Sequence, residues 1–306
     1  MKALYDVPAP AKLNLFLHVV GRRADGYHLL QSAFVLIDWC DTLHFERRDD
    51  AQLRRHDLAH ALPDDDLCLR AARLLQSESG TPCGVDISVL KRIPAQAGMG
   101  GGSSDAASTL LALNRLWGLR WPRPRLIGLA ARLGADVPFF IGGRNAFVEG
   151  IGDVLTPIAW PRRWYAVVKP AASLSTGQIF TSADLCRNTD AVILSGFLAD
   201  AAKPEPSAVS AGQIGSRSGV TSGNSFGRND LQPVAEAQCP DVARAAEWLR
   251  SRYGHSRMTG SGSAVFAGAG AGDQPLATWP EDALPPGWVG RLCRSLEQHP
   301  LVGWAD

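Results

Sequence analysis

The feature that most constrains this chain is a glycine-rich stretch that runs without a break into a helix. Residues 94–107 read Pro-Ala-Gln-Ala-Gly-Met-Gly-Gly-Gly-Ser-Ser-Asp-Ala-Ala. Glycine adopts positive φ readily and lets bare backbone N–H groups approach a ligand closely. Gly118 stands where a helix commonly ends in the left-handed conformation. Between the glycine-rich stretch and Gly118, apolar residues recur at helical spacing, namely Ala106, Leu110, Leu113 and Trp117.

This order of loop and helix predicts a phosphate-binding site. Ser103 or Ser104 is expected to cap the helix, whose unpaired N–H groups then face the glycine loop. The stretch is not a Walker A loop, because it contains no lysine. It is not a dinucleotide fingerprint either, since residues 120–125, about 20 positions on, contain no acidic residue.

Composition excludes several classes of partner. A net charge of +1 over 306 residues gives no bulk attraction to nucleic acid or to an anionic membrane. The six cysteines are scattered without a Cys-x-x-Cys pair, which indicates reduced thiols rather than zinc ligands or disulfides. No apolar run approaches membrane-spanning length, and no signal peptide is visible. We therefore expect a cytoplasmic protein with one large domain or two moderate ones.

Hydrophobic periodicity predicts a strand hairpin near the start of the chain. Residues 12–20 alternate, which places Leu13, Leu15, Leu17 and Val19 on one face and Lys12, Asn14, Phe16 and His18 on the other. Asp25-Gly26 is a turn signal, and a second strand-like run covers residues 27–37. Lys12 and Asn14 are thus expected to project from the same strand face.

Further elements follow from the same patterns. In the first half we expect a helix over 65–76, a strand over 85–93, and a helix over 123–133 that Gly134 ends. Asp136 is the single acid of the apolar segment after it. In the second half we expect strands over 144–155, 164–169 and 264–267, a helix over 242–253, and a glycine turn over 259–263. Residues 199–227 are rich in Ala, Ser, Gly and Pro, which predicts a mobile surface loop. The part from Trp288 on is expected to pack on the second half.

Six motifs occur in an order that resembles the GHMP kinase superfamily. The motifs are residues 10–15 (Pro-Ala-Lys-Leu-Asn-Leu), 26–28 (Gly-Tyr-His), 94–107, 134–140 (Gly-Ala-Asp-Val-Pro-Phe-Phe), 229–231 (Asn-Asp-Leu) and 260–262 (Gly-Ser-Gly). They span most of the chain. Within the superfamily, the first, second and fourth motifs are most similar to the member that phosphorylates a cytidine-diphosphate alcohol. Gln96, Met99 and Asp66 depart from its usual glycine, leucine and asparagine.

The resemblance implies an α+β fold of two domains with the active site in the cleft between them. The first domain, residues 1–160, would be the ATP-binding and catalytic domain, similar to domain 2 of ribosomal protein S5. The second, residues 161–306, would be a ferredoxin-like α/β sandwich that completes the substrate site. A composition shift over residues 157–161 is consistent with this boundary.

The resemblance also implies the reaction, which is transfer of a phosphoryl group from ATP to the 2-hydroxyl of cytidine-diphosphate methylerythritol, on the non-mevalonate route to isoprenoid precursors. Phosphoryl transfer asks for positioning and charge stabilisation more than for covalent chemistry. Asp136 would be the general base that accepts the hydroxyl proton. Lys12 would stabilise both the ionised Asp136 and the forming alkoxide.

The glycine loop would cradle the ATP phosphates, with Lys91 and Asp66 on the nucleotide side. The ATP-binding set is Pro94, Ala95, Gln96, Ala97, Gly98, Met99, Gly100, Gly101, Gly102, Ser103, Ser104, Lys91 and Asp66. Mg²⁺ is expected from the reaction type because it bridges phosphate oxygens. The sequence contains no dense acidic cluster that would indicate the ligands of Mg²⁺, and Ser104 or Asp105 is a candidate.

Five residues would bind the alcohol substrate. Asn14 would hydrogen-bond its erythritol portion. Tyr27 would stack on the cytosine ring, and His28 or nearby backbone would read the edge of the base. Thr176 and Phe180 would form the opposite wall of the cytosine pocket.

Two other functions remain open at this point. A sibling kinase would act on mevalonate or homoserine, which have no base for Tyr27 and Phe180 to stack on. A non-catalytic RNA-binding module of related fold would be expected to carry a basic stripe, which this chain lacks. The expected partner is therefore a small molecule, bound by a monomer or a homodimer.

Overall fold

The computed structural model describes residues 1–201, 227–276, 278–279 and 284–305. The first half forms a six-stranded sheet in the order β3-β4-β2-β5-β6, with β1 paired to β2 as well. The long strand β2 holds this sheet together, because its 21 residues pair with β1, β4 and β5. The strands are β1 (Ala3–Arg22), β2 (His28–Arg48), β3 (Leu53–Asp57), β4 (Gly84–Leu90), β5 (Ala146–Glu149) and β6 (Val154–Pro157).

Helices cover one face of this sheet. They are α1 (Leu67–Ser79), α2 (Gly101–Leu116), α3 (Arg123–Ala130) and α4 (Val137–Gly142). Helix α2 is the central one, and its buried Ala106, Leu110 and Leu113 pack in one core with Leu36 and Phe45 of β2. Gly118 has a φ of +68°, so the predicted left-handed stop of α2 is confirmed.

The second half forms a four-stranded antiparallel sheet in the order β10-β7-β9-β8. Its strands are β7 (Arg163–Lys169), β8 (Arg257–Met258), β9 (Val265–Ala271) and β10 (Val289–Arg294). Its helices are α5 (Thr176–Thr181), α6 (Leu194–Ala201), α7 (Gln232–Gln238) and α8 (Pro240–Tyr253). A core between the two sheets joins Leu13 and Val35 of the first to Val167 and Phe266 of the second.

The predicted hairpin and the common face of Lys12 and Asn14 are confirmed, but the strict alternation of residues 12–20 is wrong after Asn14. The pairing of β1 with β2 shifts register between Asn14 and Leu17. A bulge inserts one residue, which reverses the faces that follow it. Phe16 therefore packs in the inter-sheet core with Leu13, whereas Leu17 lines a pocket together with Lys12 and Asn14.

Several boundaries also differ from the sequence expectation. Helix α2 begins after Gly100, so Ser103 and Ser104 lie inside its first turn and cap nothing. Helix α3 ends at Ala130, short of the predicted Leu133. The predicted strand over 144–155 is two strands, β5 and β6, separated by a turn. The predicted mobile loop over 199–227 lies almost wholly outside the described residues.

The last ten described residues, 296–305, return to the first sheet. The strand before them, β10, pairs with β7 as expected for the second half. Beyond it, Leu296 N–H donates to the carbonyl of Leu36 at 2.8 Å, and Leu301 and Ala305 are buried in the core of the first half. The expectation that this whole part packs on the second half is thus wrong beyond β10. The division at residue 160 stays a prediction, with this crossing added to it.

All six cysteines are free thiols. Among the described residues, the helices are too short or too polar to cross a lipid bilayer.

Candidate active site

Three adjoining pockets follow one another, the second and third of them lined by residues of both halves. The first, here the loop pocket, is lined by residues 93–103 together with Asp66 and Lys91. The second, the central pocket, contains Lys12, Asn14 and Asp136. The third, the outer pocket, contains Tyr27, His28, Thr176 and Phe180. Gly98 and Gly100 line both of the first two pockets, and Leu30, Ile151 and Phe180 line both of the last two.

The glycine loop forms the wall between the loop pocket and the central pocket. Gly98 and Gly100 have φ values of +76° and +71°, which non-glycine residues adopt only with strain. Gly100 is the residue before α2, so the unpaired N–H groups at the start of that helix face the loop. The N–H of Lys12 donates to the carbonyl of Met99 at 3.0 Å, which fixes the loop to β1.

Ser104 is the one residue of the predicted ATP-binding set that does not line the loop pocket. It is fully buried within α2, and its Oγ has no hydrogen-bond partner among the described residues. Its neighbour Asp105 does line the pocket, and the Oδ1 atom of Asp105 is also buried without such a partner. The first turns of α2 thus contain two buried side-chain oxygens without a hydrogen-bond partner in the described part of the chain.

Lys91 is not a free cation at the end of a strand. Its ammonium forms buried ion pairs with Asp41 and, at 2.6 Å, with Asp105. Burial would lower the pKa of Lys91, but the two carboxylates outweigh it and raise that pKa. Burial raises the pKa of Asp105 to about 8, against the opposing effect of Lys91. The cluster thus holds its ammonium firmly beneath the loop.

Asp66 caps helix α1. Its carboxylate accepts hydrogen bonds from the N–H groups of Cys68 and Leu69 and pairs with Arg55 at 2.8 Å. A short acid is a good residue for this position because it satisfies helix N–H donors. Asp66 thereby shapes the loop pocket and has its carboxylate engaged by these partners.

Lys12 is the centre of the central pocket. Its ammonium is buried, lies 3.7 Å from Oδ2 of Asp136, and donates to Oδ1 of Asn14. It also lies 4.6 Å from the centre of the Phe34 ring, a favourable cation–π position. Burial lowers the pKa of Lys12, and Asp136 opposes that shift. The amine is thus held next to a carboxylate in a poorly hydrated place.

Asp136 reaches this position from the start of α4. Its side chain makes no capping hydrogen bond to that helix, although it occupies the position before it. The side chain is 31% exposed, so it faces both Lys12 and the open pocket. The residues after it, Val137 and Phe139, are buried in the core and fix the backbone. A carboxylate held in this way can accept a proton from a bound hydroxyl group.

The second glycine turn closes the central pocket from the other half. Thr259 Oγ1 accepts from the N–H of Asn14 at 2.8 Å, and the Asn14 amide donates to Ser32 at 2.9 Å. The amide of Asn229 donates to the carbonyls of Met258 and Gly260 at 2.8 Å each. The motif Asn-Asp-Leu therefore shapes this turn.

The outer pocket brings together aromatic groups from both halves. The rings of His28 and Phe180 lie 5.1 Å apart with an interplanar angle of 33°. Tyr27 is 62% exposed beside them. Thr176 shares a 2.7 Å hydrogen bond with Ser261 of the glycine turn. Burial, then the charges of Arg187 and Arg22, lower the pKa of His28, so its ring is neutral at neutral pH.

Sequence reasoning missed several residues of these pockets. Asp41 and Phe34 contact Lys91 and Lys12, and Arg187 donates to His28. Asp41 gave only a partial signal, because an acid in a strand is rarely buried unless it is paired, but the same strand also contains Asp38 and Glu46. Arg187 gave none, since one arginine in a polar loop resembles any other.

Protein side chains alone do not form a metal site in the described part of the chain. No group of three or more His, Cys, Asp or Glu side chains there is close enough to hold an ion. A metal would therefore need ligands from a bound molecule as well. Magnesium commonly binds in this way, through one or two protein groups together with phosphates and water.

Comparisons with known proteins agree over the whole chain. Residues 66–144 match the GHMP kinases N terminal domain, and residues 218–273 match the GHMP kinases C terminal domain. A 4-diphosphocytidyl-2-C-methyl-D-erythritol kinase of Methylibium petroleiphilum is 61% identical over 306 residues, which cover 100% of this chain and 99% of that protein. The kinase of the same name from Variovorax paradoxus is 55% identical, with 100% of both chains covered.

Solved structures give the same result. A crystal structure of a 4-(cytidine 5'-diphospho)-2C-methyl-D-erythritol kinase is 32% identical, with a TM-score of 0.74 and coverage of 94% of this chain and 98% of that one. The mevalonate kinase of Methanococcus jannaschii is 12% identical, with a TM-score of 0.63 and coverage of 96% and 98%. At 12% identity, the similarity to the mevalonate kinase concerns the fold alone.

Proposed function

The chain belongs to the 4-diphosphocytidyl-2-C-methyl-D-erythritol kinases of the GHMP kinase family, and on that premise we propose how its residues perform the reaction. The enzyme phosphorylates 4-diphosphocytidyl-2-C-methyl-D-erythritol, with ATP as co-substrate, in the synthesis of isoprenoid precursors. The α+β GHMP fold is that of its relatives. The roles of individual residues are our proposal.

The row of three pockets is the observation that supports these roles. A phosphoryl donor and an acceptor must meet in line, with the reacting atoms about 3–3.5 Å apart. The glycine loop is shared by the loop pocket and the central pocket, so phosphates on the loop would point at Lys12 and Asp136. The outer pocket lies on the far side of the central one, at a place suited to the cytidine end.

Asp136 would act as the general base. The 2-hydroxyl oxygen attacks the γ-phosphorus of ATP, the bond from that phosphorus to the bridging oxygen breaks, and ADP leaves. The hydroxyl proton passes to Asp136. Lys12 would keep Asp136 ionised and stabilise the forming alkoxide, at a separation of 3.7 Å between the two side chains.

The loop pocket would hold ATP. Backbone N–H groups of the stretch from Gly98 to Gly102 would bind the phosphates, together with Ser103 and the start of α2. Asp66, Lys91 and residues 94–97 would form the nucleoside side. Because the ammonium of Lys91 is committed to Asp41 and Asp105, its contribution would come through the position of those carboxylates.

Mg²⁺ fits the start of α2. Bound with ATP, it would neutralise the phosphate charge that develops during transfer. Ser104 and Asp105 would be its candidate ligands from the protein side, because each has a buried oxygen without a partner among the described residues. Asp105, whose pKa is raised to about 8, would lose its proton when it binds the ion.

The outer pocket would bind the cytidine group. Tyr27 and Phe180 would stack on the base, Thr176 would line the pocket, and His28 would read the base edge. Asn14, which contacts Lys12, would hydrogen-bond the erythritol portion. Mevalonate and homoserine carry no base to occupy this pocket, which disfavours those substrates. We place the reaction in the cytoplasm, where ATP is available and the six thiols stay reduced.

A coupled assay of ADP release tests the proposal. The purified protein is supplied with ATP, Mg²⁺ and either 4-diphosphocytidyl-2-C-methyl-D-erythritol, mevalonate or homoserine. We expect turnover with the first substrate alone. Preferred turnover of mevalonate or homoserine would contradict the assignment of the outer pocket to a cytidine group.

A further inference from the structure

Arg187 connects the two walls of the outer pocket. Its guanidinium donates to Nε2 of His28, from the first half, at 3.1 Å. It also donates to the carbonyl of Phe180 at 3.1 Å and to that of Ser182 at 2.6 Å, at the end of α5. A further donor reaches the carbonyl of Leu185 at 3.0 Å. Four acceptors thus hold one planar group in a fixed orientation.

We propose that Arg187 is a positioning residue that holds His28 as the neutral tautomer with its proton on Nδ1, and that this sets the preference of the pocket for cytosine over uracil. The second half of the proposal rests on the function assigned above to the outer pocket. The first half concerns the free protein alone.

The chemistry of the contact carries the tautomer assignment. Arginine stays protonated at every relevant pH and only donates. Its partner Nε2 must therefore accept, so a neutral His28 carries its proton on Nδ1. Burial, and then the positive charges of Arg187 and Arg22, lower the pKa of His28 and so favour the neutral ring. The acid lining the same pocket, Asp25, is paired with Arg23 at 2.7 Å.

The consequence is a fixed donor at the Nδ1 atom. No hydrogen bond occupies that atom among the described residues, so it can be used by a ligand. In cytosine the ring nitrogen N3 accepts a hydrogen bond, whereas in uracil the same atom carries a proton and donates. A donor at Nδ1 therefore matches cytosine and opposes uracil at this edge. With uracil, two N–H donors would face each other and neither would find an acceptor. That loss discriminates strongly between the two bases.

Nuclear magnetic resonance of the free protein tests the tautomer. Two-bond couplings between the ring nitrogens and carbons of ¹⁵N-labelled His28 distinguish a protonated Nδ1 from a protonated Nε2. We expect the Nδ1–H form in the wild-type chain at pH 7.5. A predominant Nε2–H form, or a charged ring at that pH, would overturn the proposal without any variant or substrate.

Two matched variants test the role of Arg187. Arg187→Met removes a positive charge together with the hydrogen bond to His28. Arg22→Met removes a charge near the same ring, but Arg22 donates to the carbonyl of Gly26 and not to His28. We expect a mixture of tautomers in Arg187→Met and the wild-type tautomer in Arg22→Met. Equal tautomer populations in the two variants would contradict the role of the hydrogen bond.

Kinetics with two substrates complete the test. KM is measured with the cytidine-diphosphate substrate and with its uridine-diphosphate analogue. In Arg187→Met we expect the preference for cytidine to fall by about ten-fold or more, the scale of one unsatisfied hydrogen bond. Arg187→Lys, which keeps a donor, should restore part of it. A purely structural role would raise both KM values equally and leave their ratio unchanged. Absence of any cytidine-dependent turnover in the wild type would contradict the proposed function, and the tautomer measurement would still stand.

Discussion

Gly262 packs against the backbone of Gly98, with no room for a side chain between them. A Cβ atom on Gly262 would lie 2.0 Å from the backbone nitrogen of Gly98 and 2.2 Å from the carbonyl carbon of Ala97. Backbone hydrogen bonds hold the two segments together, from Ser263 to Gln96 and from Ala264 to Ala97, at 3.2 Å each. The turn of the second half thus supports the glycine loop of the first.

Gly262→Ala should therefore weaken ATP binding. The added methyl group meets backbone, which cannot move aside as a flexible side chain does, so the glycine loop must shift. We expect KM for ATP to rise by about ten-fold, equal to about 1.4 kcal/mol. Gly128→Ala is the matched control, because a Cβ there meets nothing within 4 Å. An unchanged KM for ATP in folded Gly262→Ala protein would show that the loop does not depend on this contact.

Asp136→Asn should remove turnover and leave the fold intact. Asparagine keeps the shape of the side chain but cannot take up the hydroxyl proton. We expect kcat to fall by roughly 10²-fold or more, with KM for ATP and the melting temperature nearly unchanged. Asp184→Asn, at an exposed position outside the pockets, is the control for loss of one negative charge. Turnover near the wild-type rate in Asp136→Asn would rule out this residue as the base.

Phe180→Ala should raise KM for the cytidine substrate alone. Base–aromatic stacking is worth about 1–3 kcal/mol per base, so we expect a rise of about ten-fold or more with little change in KM for ATP. Tyr27→Ala should behave alike, and the double variant should be less than additive because the two rings share one base. Tyr5→Ala is a suitable control, since Tyr5 is 60% exposed, as Tyr27 is 62% exposed, and lies outside the pocket. An unchanged substrate KM in Phe180→Ala would assign its ring to packing.

His299 should make the protein sensitive to acid. Burial, then the charge of Arg123, lowers its pKa to about 3 from the ordinary 6.5, and its Nδ1 accepts from the N–H of Leu301 at 3.1 Å. The unfolded chain therefore binds more protons than the folded one between these pH values. The contribution of His299 to the free energy of unfolding is undiminished above pH of about 6.5. As the pH drops from there toward about 3, the free energy of unfolding falls by about 1.4 kcal/mol per pH unit.

Urea unfolding at several pH values measures this effect. The His299→Asn variant keeps an acceptor for Leu301 but does not titrate, so its stability should fall less steeply below pH of about 6.5 than that of the wild type. Parallel pH dependences for the two proteins would show that His299 does not stay neutral in the folded state.

From the sequence, the local features of the site can be predicted better than the contacts that join distant segments of the chain. The glycine loop, the helix after it and the pairing of Lys12 with Asn14 depend on neighbouring residues, and each follows from spacing. The bulge between Asn14 and Leu17 does not, because it depends on how β1 pairs with β2. The cluster of Lys91 with Asp41 and Asp105 joins segments 50 and 14 residues away, which no local pattern indicates.

Gln96 is a position where the departure from the family pattern gains a physical meaning. Its φ is +55°, in the left-handed region that glycine adopts without strain. The glycine that the resemblance leads one to expect here would suit the backbone, and glutamine carries a conformational cost there of about 1–2 kcal/mol. The sequence alone shows the substitution, but only the dihedral angle shows its cost.

The return of residues 296–305 to the first sheet has a consequence for biosynthesis. During synthesis a domain generally folds once its segment has left the ribosome. Here the first half lacks Leu301 and Ala305 in its core, and the carbonyl groups of Val302 and Ala305 as partners of Arg123, until residues 301–305 have been translated. A ribosome that stalls before residue 301 would therefore carry a chain in which the proposed catalytic residues, Lys12 and Asp136, are present around an unfinished core, and we expect proteases to degrade such a chain.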